Sequence, residues 1–175
     1  MRGLYKGFNQ LLKCLSLVFL VRDPLINMKS FLNRNKNFFI DNSSPSAKNN
    51  LLKFHLEKFS IAELYLWAWS ETFLRFHKIA KSKNVLKSII FRTEDLDSPD
   101  KVTNLLDFLE IKHIKIRKIE KLNTNQDLGL MKTFIIREDI NLLESFLDKI
   151  PVSHFSLIKE LNASLKKHKR KLDLH

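Results

Sequence analysis

The chain has 175 residues, of which 31 are Lys or Arg and 19 are Asp or Glu, so its formal net charge is +12. Only three residues are Gly and they are not clustered, which excludes a Walker loop or a dinucleotide-binding fingerprint, because both need grouped glycines beside phosphate. The single cysteine excludes an intramolecular disulfide and a cysteine-based zinc site, and we expect Cys14 to be a small buried residue.

The positive charge is spread evenly along the chain. Residues 1–110 contain 17 basic and 11 acidic residues, and residues 111–175 contain 14 and 8. A dedicated nucleic-acid binder usually concentrates its cations in a stripe, so this spread argues against nucleic acid as a partner. The one dense run is KKHKRK at 166–171, which we interpret as the solvated basic end of a helix, with nucleic-acid binding as the alternative.

The N-terminal segment carries several basic residues before the apolar run CLSLVFLV at 14–21. That run is too short to span a bilayer, and no small-residue cleavage site follows it. We therefore predict a cytoplasmic protein without a membrane span. The six histidines lack the spacing of metal ligands, so no metal site is predicted.

The first elements form a strand-to-helix unit. Residues 15–21 are a short continuous apolar run, which is typical of a strand buried on both faces of a parallel sheet. Asp23 then offers a helix N-cap and Pro24 a favoured first helical position, so we expect a helix over about 25–37. The segment DNSSPSA at 41–47 predicts a loop.

The middle of the chain predicts a long helix followed by a second strand. We expect a short helix over 49–59, then a capping box at Ser60-Ile61-Ala62-Glu63 that opens a helix ending near Lys81. We predict that this long helix buries five apolar residues, Leu64, Trp67, Phe73, Leu74 and Phe76. Trp67 and Trp69 are two residues apart and cannot face the same side, so one of them joins the core. The run LKSIIF at 86–91 is predicted to be a second buried strand.

The last third is predicted to be mostly helical. Ser98-Pro99-Asp100 repeats the cap-then-proline start and opens another helix, and 111–119 alternates loosely enough to form an edge strand. Terminal helices are predicted over 138–149 and 155–171, separated by Pro151. The order predicts an α/β fold with a short parallel sheet flanked by helices and a helical C-terminal region. We place the domain division between an α/β core at 1–122 and a helical extension with a basic tail at 123–175.

The junction LVFLVRDPLINMKS at 17–30 is the most informative feature for function. A strand delivers Arg22 to the carboxyl edge of the sheet, where ligands of open α/β sheets bind. The helix that begins at Pro24 directs its N-terminal amides to the same place, and Ser30 adds a hydroxyl. Because arginine can grip phosphate through two parallel hydrogen bonds, the junction indicates an anion site. The alternative is an Arg22–Asp23 surface pair at an ordinary helix start.

These residues resemble a known family. Arg-Asp-Pro after an apolar strand, with Ser eight residues after the arginine, resembles the 3′-phosphate-binding motif of sulfotransferases, which use 3′-phosphoadenosine 5′-phosphosulfate (PAPS). The strand LKSIIF, then Arg92-Thr93-Glu94-Asp95-Leu96, then a helix ending Asp107-Phe108-Leu109 is similar to the downstream half of that family. Together the matching elements cover about 15–110.

The resemblance implies a partial sulfotransferase fold, which is P-loop-like, and sulfuryl transfer from PAPS to an unidentified hydroxyl or amine acceptor. It assigns Arg22 and Ser30 to the 3′-phosphate of PAPS or of its product, 3′-phosphoadenosine 5′-phosphate (PAP), with low affinity expected. It names no catalytic residue, because the family's 5′-phosphosulfate loop and its His or Glu base have no counterpart before Arg22. Thr93 also stands where many relatives have Tyr.

We therefore interpret the chain as the C-terminal half of such a fold, truncated or acting with an N-terminal half. Apolar surface on 15–21 and 86–91 would then be uncovered, which predicts a homo-oligomer or a partner chain over the sheet. The competing interpretation is a small basic non-enzymatic protein that binds RNA or another protein chain, with Arg22 in a structural role.

Overall fold

The computed structural model describes residues 14–34, 44–54, 58–112 and 134–173. These residues form five α-helices and a two-stranded parallel sheet, so the predicted α/β class is confirmed. They group into two compact units. The first takes residues 1–22 and 76–121, and the second takes residues 23–75 and 122–175, so the C-terminal helices group with 23–75. The domain boundary that the sequence predicts between residues 122 and 123 stays a prediction.

The sheet of the first unit consists of β1 (Leu15–Val21) and β2 (Val85–Arg92), both at the predicted positions. The strands pair in parallel, with Val18 opposite Ile89 and Val21 opposite Arg92. The ring of Phe19 on β1 stacks on Phe76 with centroids 4.6 Å apart. This packing covers part of one face of the sheet.

The strands are less buried than the sequence predicts. Val21 and Phe91 are buried, but Leu20 is 55% exposed and Leu86 is 70% exposed. The prediction of strands buried on both faces is therefore wrong for these two residues, because neither is covered by another described element. The outcome matches the separate expectation that apolar surface on the strands is uncovered.

After β2, the first unit continues through a 3₁₀ turn (Thr93–Asp97) into α3 (Pro99–Phe108). The helix begins at the predicted proline, but the Ser98 side chain makes no capping hydrogen bond. Glu110 follows the helix with φ of 61°, and the Lys87 ammonium lies 2.6 Å from its carboxylate. The predicted edge strand at 111–119 lies mostly outside the described residues.

The second unit is built from α1 (Pro24–Arg34), most of α2 (Ile61–Ala80), α4 (Arg137–Asp148) and α5 (Phe155–Leu172). The predicted terminal helices on either side of Pro151 are confirmed, and α1 packs against both. The centre of this unit contains fully buried side chains from five segments: Leu25, Leu52, Leu66, Ile140, Leu143, Phe146, Leu157 and Leu161.

The start of α2 follows the predicted capping box. The Ser60 amide donates to the Glu63 carboxylate at 2.8 Å, and the Glu63 amide donates to the Ser60 hydroxyl at 3.3 Å. All five apolar residues predicted to be buried on this helix are buried. Trp67 is the tryptophan in the core, where its indole N–H donates to the Leu52 carbonyl at 2.9 Å, while Trp69 is half-buried.

Two local predictions are wrong. Residues 49–54 form no helix, because the Glu71 carboxylate accepts hydrogen bonds from the amides of Leu51 and Leu52 and the Asn50 side chain donates to carbonyls of the preceding turn. These bonds replace the helical ladder, and 55–57 lie outside the described residues. Cys14 is exposed, with φ of 63°, instead of buried, because it precedes the strand that was expected to bury it.

Candidate functional site

Arg22 lies where the sequence places it, directly after the last residue of β1. Because Val21 pairs with Arg92 in a parallel sheet, Arg22 and Thr93 both follow the carboxyl ends of neighbouring strands. The Arg22 side chain is half-buried. The edge that carries Arg22 therefore also carries the start of the Thr93-Glu94-Asp95-Leu96 segment, as expected for the ligand edge of an α/β sheet.

Ser30 lies in the second turn of α1 and is only 6% exposed. Ser30 belongs to the second unit, whereas Arg22 belongs to the first. The joint contact of these two side chains with one phosphate stays a prediction. Of the two, Arg22 has the more accessible side chain.

The amides at the start of α1 donate to different acceptors from the predicted phosphate. The Asp23 carboxylate accepts from the Leu25 amide at 3.1 Å and from the Ile26 amide at 3.2 Å, and the Asp23 carbonyl accepts from the Asn27 amide at 2.8 Å. Pro24 has no amide hydrogen to donate. The expectation that these amides would point at a bound phosphate is therefore wrong, because Asp23 itself is the anion at this helix end.

Asp23 also connects α1 to the last helix. Its carboxylate lies 3.1 Å from the His168 Nε2 atom, accepts from the Ser164 hydroxyl at 3.1 Å, and lies 3.5 Å from the Lys167 ammonium. Asp23 is 3% exposed, and Ser164 and His168 are also buried. Asp23 is therefore not a surface residue, but its bonds to the amides of Leu25 and Ile26 agree with the ordinary helix start of the alternative interpretation.

The charge state of Asp23 follows from these contacts. Burial acts to raise the pKa of this carboxyl, but the hydrogen bond and charge of His168, the Ile26 amide and the charge of Lys167 outweigh burial. The net effect lowers the pKa of Asp23 from 3.8 to about 2. The carboxylate is therefore ionised throughout the neutral range, and α5 supplies most of its partners.

The sequence contains a signal for this buried cluster, although none of the predictions above includes it. Ser164 and His168 continue the helical spacing of Leu157, Leu161 and Leu165, so they occupy positions of the buried stripe of α5. Polar residues at such positions predict buried hydrogen bonds. The run 166–171 was interpreted as solvated, and this is right for Lys166, Lys167, Arg170 and Lys171 but wrong for His168.

The described segments contain no group of His, Cys, Asp or Glu side chains that could hold a metal ion. They also contain no helix of sufficient length and hydropathy to cross a bilayer. The cytoplasmic location stays a prediction.

Comparisons with known proteins add no relative. No protein-family profile matches the chain, and neither a curated protein nor a solved structure is significantly similar to it. The functional argument therefore depends on the residues themselves.

Proposed function

We propose that the chain is a sulfotransferase-family protein in which Arg22 and Ser30 hold the 3′-phosphate of PAPS or PAP. The substrate of the full reaction is an unidentified hydroxyl or amine acceptor. The observation that carries the proposal is the parallel pairing of β1 and β2, which supports the resemblance because Arg22 and the 93–96 segment follow neighbouring strands at one edge.

Arg22 is the principal ligand in this proposal. Its guanidinium can donate two parallel hydrogen bonds to phosphate, a geometry that lysine does not match. The amides at the start of α1 are engaged by Asp23, so recognition rests on the side chains of Arg22 and Ser30. Two side chains without a helix-end amide site are consistent with weak binding.

We further propose that sulfuryl transfer requires groups beyond this pair. A base must remove the acceptor proton, and cations must stabilise the charge that develops on the leaving phosphate oxygen. The residues that match the family motif supply the 3′-phosphate end alone, so we expect negligible turnover by the isolated chain. Robust transfer from PAPS to any acceptor by the purified chain would contradict this part.

Calorimetry with PAP and with adenosine 5′-phosphate, which lacks the 3′-phosphate, tests the binding site. We expect PAP to bind at least about tenfold more tightly, and Arg22→Ala to abolish this preference. Arg22→Lys keeps the charge and tests the paired hydrogen bonds. Arg137→Ala removes an exposed arginine at the start of the fourth helix and is the matched control, with PAP binding unchanged. Equal PAP affinity of wild type and Arg22→Ala would remove the site.

We also propose that a second copy or a partner chain covers the strands, because Leu20 and Leu86 expose large apolar side chains on a parallel sheet. Size-exclusion chromatography with light scattering should give a mass above the 20.7 kDa of one chain. Leu20→Ser/Leu86→Ser should shift the protein toward the monomer. A stable wild-type monomer would contradict the proposal.

A further inference from the structure

The exposed side of α5 carries basic residues that lie outside the proposed nucleotide site. Five of its exposed residues are basic: Lys159, Lys166, Lys167, Arg170 and Lys171. We call this set the α5 basic face. Although the net charge of the whole chain is spread evenly, burial of the opposite side of α5 concentrates these cations on one side of one helix.

The geometry of the helix arranges these residues in a line. At 100° per residue, Lys159, Lys166 and Arg170 lie opposite the buried Leu161 and His168. Lys166 and Arg170 are one turn apart, which is about 6 Å along the axis. Lys167 lies about 80° around the helix from this line, and Lys171 follows Lys167 one turn later, toward the buried side.

The helix is held firmly behind this face. Leu157, Leu161 and Leu165 are buried, Ser164 donates to the Asp23 carboxylate, and the His168 Nε2 atom lies 3.1 Å from the same carboxylate. A fixed helix keeps its cations in register with a repeating anion, so less ordering is required on binding.

The acidic residues near the face leave it strongly positive. On α5 and its C-cap they are Glu160, which is half-buried, and the exposed Asp173. From the neighbouring helix, Glu144 is paired with Lys169, which is outside the set. Asp23 faces Lys167 at 3.5 Å and reduces the contribution of that lysine alone.

An exposed aromatic residue extends the same line. Phe155, the first residue of α5, is 74% exposed and lies four residues before Lys159 on the same side of the helix. The line from Phe155 to Arg170 is about 22 Å long. Cations that follow a backbone, together with an aromatic ring on which a base can stack, are the combination that single-stranded nucleic acid requires.

We propose that the α5 basic face and Phe155 bind single-stranded nucleic acid without sequence preference, with phosphates on the cations and one base on the Phe155 ring. A membrane surface fits less well. Helices that lie on membranes insert a continuous apolar side, whereas Leu157, Leu161 and Leu165 of α5 are already buried inside the protein.

Fluorescence anisotropy with a labelled 12-nucleotide RNA of mixed sequence, at several salt concentrations, tests this proposal. The variant Lys159→Gln/Lys166→Gln/Arg170→Gln/Lys171→Gln leaves Lys167 and its Asp23 contact in place. We expect it to weaken binding by about tenfold or more, and to reduce the slope of log K against log salt by about 2 to 3.

The matched control removes the same charge from exposed lysines elsewhere, in Lys53→Gln/Lys58→Gln/Lys81→Gln/Lys83→Gln. We expect its affinity to stay within about threefold of wild type. Equal losses in the two variants would show that total charge, and not the α5 basic face, attracts RNA. No binding by the wild type would also overturn the proposal.

A substitution at Phe155 distinguishes stacking of a base on the ring from insertion of the side chain into a membrane. Phe155→Leu keeps an apolar side chain, so it should weaken RNA binding by about fivefold or more through lost stacking. Tighter binding of the wild type to phosphatidylserine vesicles than to RNA, unchanged in Phe155→Leu, would overturn the assignment to nucleic acid. Arg22→Ala should leave RNA binding intact, so this proposal and the PAP site can fail independently.

Discussion

The helices of the second unit and the strands of the first are both rich in apolar residues, but they bury them differently. In the second unit, Leu143 and Phe146 are fully buried between helices, and the Asp23 and Glu71 carboxylates are hydrogen-bonded to backbone amides. In the first unit, Leu20 and Leu86 are exposed on the strands. The difference shows that the second unit is packed as a complete core, while the strands present surface that another chain can cover.

The largest expected effect comes from a Leu→Ala substitution made separately in each unit, which tests this difference in burial. Leu143→Ala removes a fully buried side chain and should lower the free energy of unfolding by about 2 to 5 kcal/mol. Leu86→Ala removes a side chain of the same type that is exposed in the single chain, so in samples dilute enough to be monomeric by light scattering it should change this free energy by less than about 0.5 kcal/mol. Denaturant unfolding followed by circular dichroism measures both values.

A loss at Leu86 as large as the loss at Leu143 would break the comparison. In a monomeric sample it would mean that Leu86 is buried within the chain itself, whereas a larger loss that appears only in concentrated, associated samples is what the proposed second copy predicts.

The next effect concerns the charge at the start of α1. The native pKa of Asp23 is about 2, below the ordinary value of 3.8, so the ionised form stabilises the fold at pH above about 4. This contribution, about 2 kcal/mol, should be lost as pH falls from about 4 to 2, because the unfolded chain binds a proton more readily than the native one.

Asp23→Asn keeps a capping oxygen for the amides of Leu25 and Ile26 but removes the charge that faces His168 and Lys167. We expect it to be less stable by about 2 kcal/mol at pH 7 and to show a flatter acid limb. Asp173→Asn removes an exposed carboxylate at the end of α5 and should keep the wild-type profile. Identical acid limbs in the two variants would show that Asp23 does not control the pH dependence.

The smallest effect compares two serines that precede helices. Ser60 completes a capping box with Glu63, whereas the Ser98 side chain makes no capping hydrogen bond at α3. Ser60→Ala should therefore cost about 1 kcal/mol, and Ser98→Ala should cost close to nothing, in the same unfolding experiment. The reverse order would show that the α3 cap forms in solution and the α2 cap does not.

Elements governed by neighbouring residues could be predicted from the sequence. The apolar run 15–21, the Asp23-Pro24 start and the Ser60 capping box each act within a few residues, and each forms where expected. The carboxyl-edge position of Arg22 follows from the same local pattern.

Contacts between distant residues could not be predicted in this way. Glu71 reaches back about twenty residues to the amides of Leu51 and Leu52 and prevents the expected helix there. Asp23 accepts from Ser164, 141 residues away, so the burial of this carboxylate could not be predicted, although its bonds to the amides of Leu25 and Ile26 are local. Periodicity indicates that Ser164 and His168 are buried, but it does not identify their partner.

The separation of 141 residues between Asp23 and Ser164 also bears on the order in which contacts form during folding. Ser164 lies 141 residues after Asp23, and His168 lies one turn of α5 further on, so most of the described chain separates this carboxylate from its partners on α5. Contacts of such long sequence separation form late, because a long loop must close before they can contribute. The first helix of the second unit therefore acquires its partners on α5 late in folding, and until then water must solvate the Asp23 carboxylate.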